Sequence, residues 1–165
     1  EAHNAQYLDK PEQPGAVGRI TKWSADGRLI KTFGTFGFGP SQFRGPHSLA
    51  FDSKGRLFVA DRGNRRIQIF DQEGKHLDTW YQFSRISGLV ITPDDTLYVV
   101  DYNVQKGVFV GSARDGAVRY RIDDAVAEGV AVDNDGNIYV GETVPGTTLT
   151  GQPGGHIVRK LARIR

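Results

Sequence analysis

The sequence predicts an all-β fold built from repeated four-stranded antiparallel sheets. One pattern occurs three times, as HSLAFDSKGRLFVAD, SGLVITPDDTLYVVD and EGVAVDNDGNIYVGE, at residues 47–61, 87–101 and 128–142. The acids that end these segments are 40 and then 41 residues apart, at Asp61, Asp101 and Glu142. A period of about 40 residues, with four short strand signals in each unit, is typical of the blades of a β-propeller.

The unit at residues 47–82 shows the pattern most completely. Its apolar runs are SLAFD, RLFVAD, RRIQIFD and HLDTW, and the breaks between them contain SKG, RGN and QEGK. Short runs rich in β-branched and aromatic residues predict strands, and Gly, Asp and Asn predict turns. The first two strands are almost continuously apolar, so we expect them to be buried on both faces. The third and fourth alternate more, as outer strands do.

The other units contain different numbers of strands. The sequence predicts four strands at residues 87–123, and three at 128–161, where the outermost strand is lacking. Residues 1–34 contain only the outer half of a blade, as GRITKW and LIKTFG. The total is about three and a quarter blades, roughly half of a six-bladed ring, because closed propellers usually have four to eight complete blades.

Two interpretations of this half ring are open. In the first, a longer parent chain has lost its N-terminal half. In the second, two copies form a domain-swapped homodimer. The outer strands of one copy's first blade then complete the inner strands of the other copy's last blade, and the strand at 156–161 is displaced.

Composition limits the classes of function. The chain has 165 residues, of which 38% are hydrophobic and 24% are charged, a balance typical of globular proteins. The net charge is only +2 and the basic residues are scattered, which argues against a nucleic-acid partner. No stretch approaches the roughly 18 apolar residues of a membrane span. The absence of Cys excludes a disulfide framework, a thiolate metal site and a cysteine nucleophile.

The run ADRGNRRIQIFDQEGK at residues 60–75 resembles the NHL repeat, whose signature contains D-x-x-N-x-R-I-Q-x-F. The matching residues are Asp61, Asn64, Arg66, Ile67, Gln68 and Phe70. The third blade departs from this signature, with NVQKGVFV instead. The resemblance implies a six-bladed propeller around a central funnel. It is closest to bacterial, secreted or periplasmic proteins that resemble peptidyl-α-hydroxyglycine α-amidating lyase.

The lyase resemblance implies a metal site. That family holds zinc with His residues at the start of inner strands, in a setting that Pro46-His47-Ser48-Leu49 matches. Two blades further on, Glu128 stands where the lyase would have His. We therefore expect His47 and Glu128 to be candidate ligands for zinc or calcium, with a third ligand from blades outside this chain.

Three further residues are candidates for ligand binding: Arg62, Tyr102 and Glu142. Arg62 and Tyr102 follow two of the repeated acids and differ between blades, and the resemblance implies an Arg and a Tyr near the metal. They are the candidate catalytic residues. The repeated acids could line the funnel, but repetition at all three positions favours a structural role as turn caps that accept backbone N–H groups.

The segment GTFGFGPSQFRG at residues 34–45 is a Gly-rich, aromatic loop between blades. It lacks the GK[ST] motif and the following helix of a phosphate-binding loop. We expect Phe33, Phe36 and Phe38 to fill the gap between blades.

Two classes of function follow from these features. A binding or scaffold module would hold a protein, a peptide or a small-molecule ligand on the funnel or the rim. A metal-dependent lyase or hydrolase would polarise an oxygen with an ion held partly by His47, and an Arg or Tyr would handle a proton. The sequence favours the binding module, because this half ring contains too few metal ligands.

Overall fold

The chain folds into β-strands joined by tight turns. The computed structural model describes residues 18–101, 104–123, 125–142 and 157–161. The strands in chain order are β1 (Ile20–Trp23), β2 (Leu29–Phe33), β3 (Thr35–Phe36), β4 (Gln42–Phe43), β5 (Pro46–Phe51), β6 (Leu57–Asp61), β7 (Arg66–Phe70), β8 (His76–Trp80), β9 (Ile86–Ile91), β10 (Thr96–Asp101), β11 (Gly107–Ser112), β12 (Val118–Ile122), β13 (Ala127–Val132), β14 (Ile138–Glu142) and β15 (Ile157–Leu161). One 3₁₀ turn, Arg62–Asn64, follows β6. No helix in this described part of the chain could span a membrane.

The strands form sheets that follow one another along the chain. Two sheets, β5–β8 and β9–β12, are four-stranded, β13–β15 is three-stranded, and β1–β2 is two-stranded. All of these pairings are antiparallel, whereas β3 and β4 form a short parallel pair beside blade 2. We call β1–β2, β5–β8, β9–β12 and β13–β15 blades 1 to 4. The all-β class and the four-stranded antiparallel sheets predicted from the sequence are confirmed.

The turn between the first two strands has the same backbone geometry in blades 2, 3 and 4. Gly55, Asp95 and Gly136 occupy the same turn position with φ of 73°, 66° and 81°. This left-handed region favours glycine. Asp95 adopts it while its carboxylate accepts hydrogen bonds from the Ser53 amide and hydroxyl, both at 2.8 Å. These bonds hold the pKa of Asp95 below its usual value and join blade 2 to blade 3.

Burial of the inner strands differs between the central blade and the other two. In blade 3, every residue of β10 and the first four of β9 are buried. In blade 2, β5 exposes Leu49 and Phe51, and in blade 4 half-buried and exposed positions alternate along β13 after a buried Ala127. The expectation of burial on both faces is therefore correct for the central blade. It is wrong for β5 and β13, because a described sheet covers only one face of each.

The third strands are more deeply buried than the sequence predicts. Every residue of β7 and of β11 is buried, whereas β12 is largely exposed and β8 exposes Leu77 and Asp78. The expectation that third strands alternate as outer strands is wrong for both blades. The polar residues of β7 are buried because their side chains bind a loop of the chain rather than water, as described below.

Candidate functional site

The NHL-like run lies at the end of blade 2 where β6 passes through the 3₁₀ turn into β7. Asp61, the last residue of β6, is fully buried. Its carboxylate accepts four hydrogen bonds, from Arg44 N (2.8 Å), Asn64 Nδ2 (2.8 Å), Arg66 Nε (2.8 Å) and Gln68 Nε2 (3.2 Å). A buried carboxylate needs such donors, because burial without them disfavours the charged form.

Arg66 carries this network from the sheet into the preceding loop. Its Nη1 donates to the Phe38 carbonyl at 2.7 Å, and its Nη2 donates to the carbonyls of Gly39 at 2.8 Å and Gln42 at 2.7 Å. The side chain is almost fully buried, like that of Asp61. One guanidinium thus neutralises the buried acid and satisfies three loop carbonyls.

Gln68 fastens the same loop at a second point. Its Oε1 accepts a hydrogen bond from the Ser41 amide at 3.0 Å, and its Nε2 donates to the Gln42 carbonyl at 2.8 Å. We call Asp61, Asn64, Arg66 and Gln68 the clasp. The clasp residues are the polar residues of the NHL-like signature, and in this structure they hold a loop in place.

The other two repeated acids occupy the equivalent strand ends. Asp101 accepts the Arg85 amide at 2.8 Å and the Val104 amide at 3.0 Å, which is the geometry expected of a turn cap. Glu142 ends β14, where it pairs with Ala127 and Ile157. Tyr102, which follows Asp101, lies outside the described residues.

His47 lies near the start of β5 and contacts the neighbouring blade. Its Nδ1 is 2.6 Å from the Ser87 carbonyl oxygen. Because a carbonyl only accepts, this contact places the proton on Nδ1. Ser87 in turn donates its hydroxyl to the Ala127 carbonyl at 3.0 Å, so the starts of the inner strands of three blades are linked in sequence.

Arg62 and Glu128 approach each other although they belong to blades 2 and 4. Arg62 Nη2 lies 3.4 Å from Glu128 Oε1, and the side chains are 9% and 27% exposed. The pair spans the inner end of blade 3. The structure thus brings three predicted residues, His47, Arg62 and Glu128, to the inner ends of adjacent blades.

The described residues alone do not assemble the metal site predicted at His47 and Glu128. Within the described ranges, no group of three or more His, Asp or Glu residues is placed to hold an ion. His47 and Glu128 contact different partners, Ser87 and Arg62. The positive charge of the Arg62 guanidinium beside the Glu128 carboxylate opposes a second cation there. The metal role of these residues stays a prediction.

A surface that the sequence reasoning missed lies on the outer side of the clasp. Phe38 and Tyr81 are 65% and 67% exposed, and both line a hollow of about 290 Å³ together with Gly63 and Arg65. The Arg44 guanidinium stacks on the Phe38 ring, with Cζ 4.7 Å from the centroid. We call Phe38, Tyr81, Arg44 and Arg65 the aromatic ledge.

The expectation that Phe38 fills the gap between blades is wrong. Phe33 does pack against Phe70, with ring centroids 5.3 Å apart. Arg66 draws the carbonyls of Phe38 and Gly39 inward, while the Phe38 ring is largely exposed. The sequence feature that could have predicted the exposure of Phe38 is the pair Gly37 and Gly39. Glycines on both sides of an aromatic residue allow the backbone to turn its side chain outward.

Comparison with known proteins identifies the repeat. Residues 43–70 match the NHL repeat family. The chain is 40% identical over 90 residues to human NHL repeat-containing protein 3, an alignment that covers 52% of this chain and 26% of that protein. It is 30% identical over 147 residues to Xenopus laevis peptidyl-glycine alpha-amidating monooxygenase A, covering 75% and 15%. The expected closeness to bacterial proteins is not supported by these animal relatives.

Solved structures show the same fold at lower identity. The RRP9 WD40 repeats superpose with a TM-score of 0.62 and 22% identity, covering 76% of this chain and 39% of that one. WD40 repeats form propeller blades. The chain therefore carries an NHL repeat at residues 43–70 and consists of propeller blades. It spans about a quarter of the length of its human relative.

Proposed function

We propose that this chain is a protein-binding module whose aromatic ledge anchors an extended segment of a partner. The observation that carries the proposal is the exposure of Phe38 and Tyr81 around one hollow, on a loop that the clasp immobilises. Aromatic and Arg side chains of this kind dominate the energetics of protein interfaces. The match to the NHL repeat supports a scaffold role.

The ledge is organised before any partner arrives. The clasp satisfies three loop carbonyls through Arg66, and Gly63 N donates to the Arg44 carbonyl at 2.8 Å. Arg65 holds a left-handed φ of 54° with its side chain exposed. Backbone strain of this kind persists only where the surroundings over-determine it, and it concentrates at functional sites. A rigid surface binds with a smaller loss of conformational entropy.

Charge specifies the partner's chemistry. Arg44 and Arg65 belong to the ledge and bring two guanidinium groups to the Phe38 ring and the hollow. A partner segment that inserts an apolar side chain between Phe38 and Tyr81 would place its flanking residues near these guanidinium groups. We therefore expect the segment to carry Asp or Glu next to an apolar anchor.

The test is selection of peptides from a random displayed library on the wild-type chain, followed by affinity measurement of the enriched peptides. We expect enrichment of acidic residues beside an aromatic or aliphatic residue. The variant Phe38→Ala/Tyr81→Ala should weaken their binding at least about tenfold, since interface aromatics contribute about 2 kcal/mol or more. Leu77→Ala, which removes an exposed side chain from outer strand β8, is the matched control. Equal binding to both variants would exclude the ledge.

A metal-dependent lyase is the second candidate. The alignment with the Xenopus amidating monooxygenase and the Pro46-His47 pair support it, whereas the contact between Arg62 and Glu128 opposes a cation there. Titration with zinc, followed by calorimetry, separates the two candidates. One site lost in both His47→Ala and Glu128→Ala would support the lyase, and absence of zinc binding would leave the protein-binding proposal as the better supported one.

A further inference from the structure

The two ends of blades 2 and 3 differ in charge. At the end where Asp61 and Asp101 lie, the connections that enter these blades or lie within them contain five basic residues and no acid. These connections are residues 34–45, 62–65, 81–85 and 102–106. The turns at the other end contain six acids and four basic residues. These turns are residues 52–56, 71–75, 92–95 and 113–117. We call the first end the basic end, and its charge attracts an anionic partner.

Two of the five basic residues, Arg65 and Lys106, occupy the same position in blades 2 and 3. Each is the last residue before the third strand of its blade, at the point where that strand begins to pair with the strand that ends in the repeated acid. Both are exposed, and both have a positive φ, of 54° and 28°. Residues with side chains rarely adopt this backbone, and it concentrates at functional sites. The repeated basic residue therefore marks the same surface in both blades.

Val104 gives blade 3 an exposed apolar side chain close to Lys106 in the chain. Its side chain is 53% exposed, and its amide donates to Asp101. Asn64 lies at the corresponding place in blade 2, three residues after the acid, where its side chain belongs to the clasp. The link into blade 3 is held by Phe83 instead, so an apolar residue is compatible with the fold at this place. We call Val104 and Lys106 the blade 3 contact.

The blade 3 contact is continuous with the aromatic ledge. Tyr81 of the ledge begins the link 81–85 into blade 3. The last residue of the link, Arg85, donates its amide to one carboxylate oxygen of Asp101 at 2.8 Å, and Val104 donates its amide to the other at 3.0 Å. Val104 therefore lies within about 20 Å of Tyr81, a distance that about six extended residues span.

We propose that the partner segment runs from the aromatic ledge onto the blade 3 contact and carries two similar units, each an apolar residue beside Asp or Glu. The first unit binds at the ledge. The second places its apolar side chain on Val104 and its carboxylate near Lys106. The segment is extended, with about six residues from one apolar side chain to the next. This inference rests on the proposed function, because it extends the same interface from blade 2 to blade 3.

The second unit contributes less than the first but strengthens the whole interface. An ion pair with the exposed Lys106 side chain changes affinity only a few-fold, and burial of the Val104 side chain adds a similar factor. Together they contribute about tenfold. Because both units belong to one segment, binding of the first holds the second at a high local concentration beside blade 3.

The chemistry of the basic end favours an acidic protein segment over a nucleic acid. Single-stranded nucleic acids stack their bases on aromatic rings. The Phe38 ring already has the Arg44 guanidinium over it, and Val104 has no ring. The exposed apolar side chains alternate with basic ones along this surface, which suits a segment that alternates apolar and acidic residues.

The test uses the peptide most strongly enriched on the wild-type chain from a displayed library of random 20-residue segments. Its affinity is measured for the wild type, for Val104→Ser/Lys106→Glu and for the control Val118→Ser/Lys54→Glu. The control makes the same two changes at exposed residues in or next to the turns of the opposite end. We expect about tenfold weaker binding for the first variant and a change of less than about twofold for the control. Unfolding curves check that both variants are folded.

Two half-length peptides show whether the substitutions act at blade 3 itself. The half that binds the ledge is the one that loses affinity in Phe38→Ala/Tyr81→Ala, and it should bind at least about tenfold more weakly than the intact peptide. It should bind the wild type and Val104→Ser/Lys106→Glu equally, because it does not reach blade 3. If the blade 3 substitutions weaken this half as well, they act through the ledge, and the inference is wrong.

The remaining outcomes separate this inference from the proposed function. Suppose that Phe38→Ala/Tyr81→Ala weakens the intact peptide while Val104→Ser/Lys106→Glu binds it as the control does. The ledge alone then forms the site, and only the inference is overturned. Equal binding to the wild type and the ledge variant, or enrichment of no peptide, would contradict both. An unstructured RNA oligonucleotide that displaces the peptide and loses affinity in both variants would assign the basic end to a nucleic acid and overturn the inference.

Discussion

The loops that enter blades 2 and 3 meet the same kind of capping aspartate but are fastened in different ways. In blade 2 the clasp residues Arg66 and Gln68 bind the loop through hydrogen bonds. Strand register places Gly107 and Phe109 at the same positions of blade 3. There, Phe109 packs edge-on against Phe83 of the entering loop, with centroids 5.9 Å apart.

The difference follows from what each loop presents to the sheet. The long loop before blade 2 turns backbone carbonyls inward, and buried carbonyls must be paired. The short link before blade 3 inserts a side chain, Phe83, which is buried at 3% exposure and needs only apolar contact. Where hydrogen bonds hold the loop, in blade 2, its aromatic side chain Phe38 stays at the surface. Where apolar contact holds the link, in blade 3, its aromatic side chain Phe83 is buried in that contact. The exposure of Phe38, on which the proposed binding function rests, therefore follows from how the blade 2 loop is held.

Removing the central donor should give the largest effect. Arg66→Ala leaves Asp61 as a buried charge with fewer donors and removes one donor from each of three loop carbonyls. We expect a loss of about 3–5 kcal/mol in the free energy of unfolding, measured by urea denaturation. Arg114→Ala, which breaks an ion pair whose arginine side chain is 67% exposed, is the control and should cost about 1 kcal/mol or less. Similar losses would mean that the clasp contributes no more than a surface pair.

Apolar replacement at the equivalent positions of β7 and β11 should give smaller losses of stability, and the loss should be larger in blade 2 than in blade 3. Gln68→Leu leaves the Ser41 amide without its side-chain partner and removes one of the two side-chain donors to the Gln42 carbonyl, so we expect about 2 kcal/mol of destabilisation. Phe109→Leu keeps the contact apolar and should cost about 1 kcal/mol. Chemical unfolding of both variants checks the order, and a larger loss for Phe109→Leu would reverse the comparison.

The turns at the opposite end of the blades should show the smallest effect. In blade 4 the Asn137 side chain, with the Asn137 amide and the Tyr139 hydroxyl, lowers the pKa of Asp133 to about 2. Because the folded pKa lies below the unfolded value of 3.8, this carboxylate stabilises the fold above pH 4, and the contribution is lost as the pH falls towards 2. A carboxyl NMR titration should find a midpoint of about 2 that rises in Asn137→Ala. A midpoint near 3.8 in wild type would contradict these bonds.

The periodic features of the structure could be predicted from the sequence, whereas its contacts between blades could not. The 40-residue period and alternating apolar runs predicted the sheets, since strand formation depends on local residue type. The burial of Arg66 and Gln68 could not be predicted, because polarity indicated exposure and their partners are loop carbonyls without a residue signature. The approach of Arg62 to Glu128 depends on the curvature of the ring, which no local pattern encodes.

The most direct test of the account is amide hydrogen exchange of the loop before blade 2. The Ser41 amide donates to Gln68 and the Arg44 amide donates to Asp61, so both should be protected in the wild-type chain. Gln68→Leu should raise the exchange rate at Ser41 by about tenfold or more, while the Arg85 amide of the blade 3 junction keeps its rate. Rapid exchange of Ser41 and Arg44 in wild type would contradict the claim that the clasp holds the aromatic ledge in place.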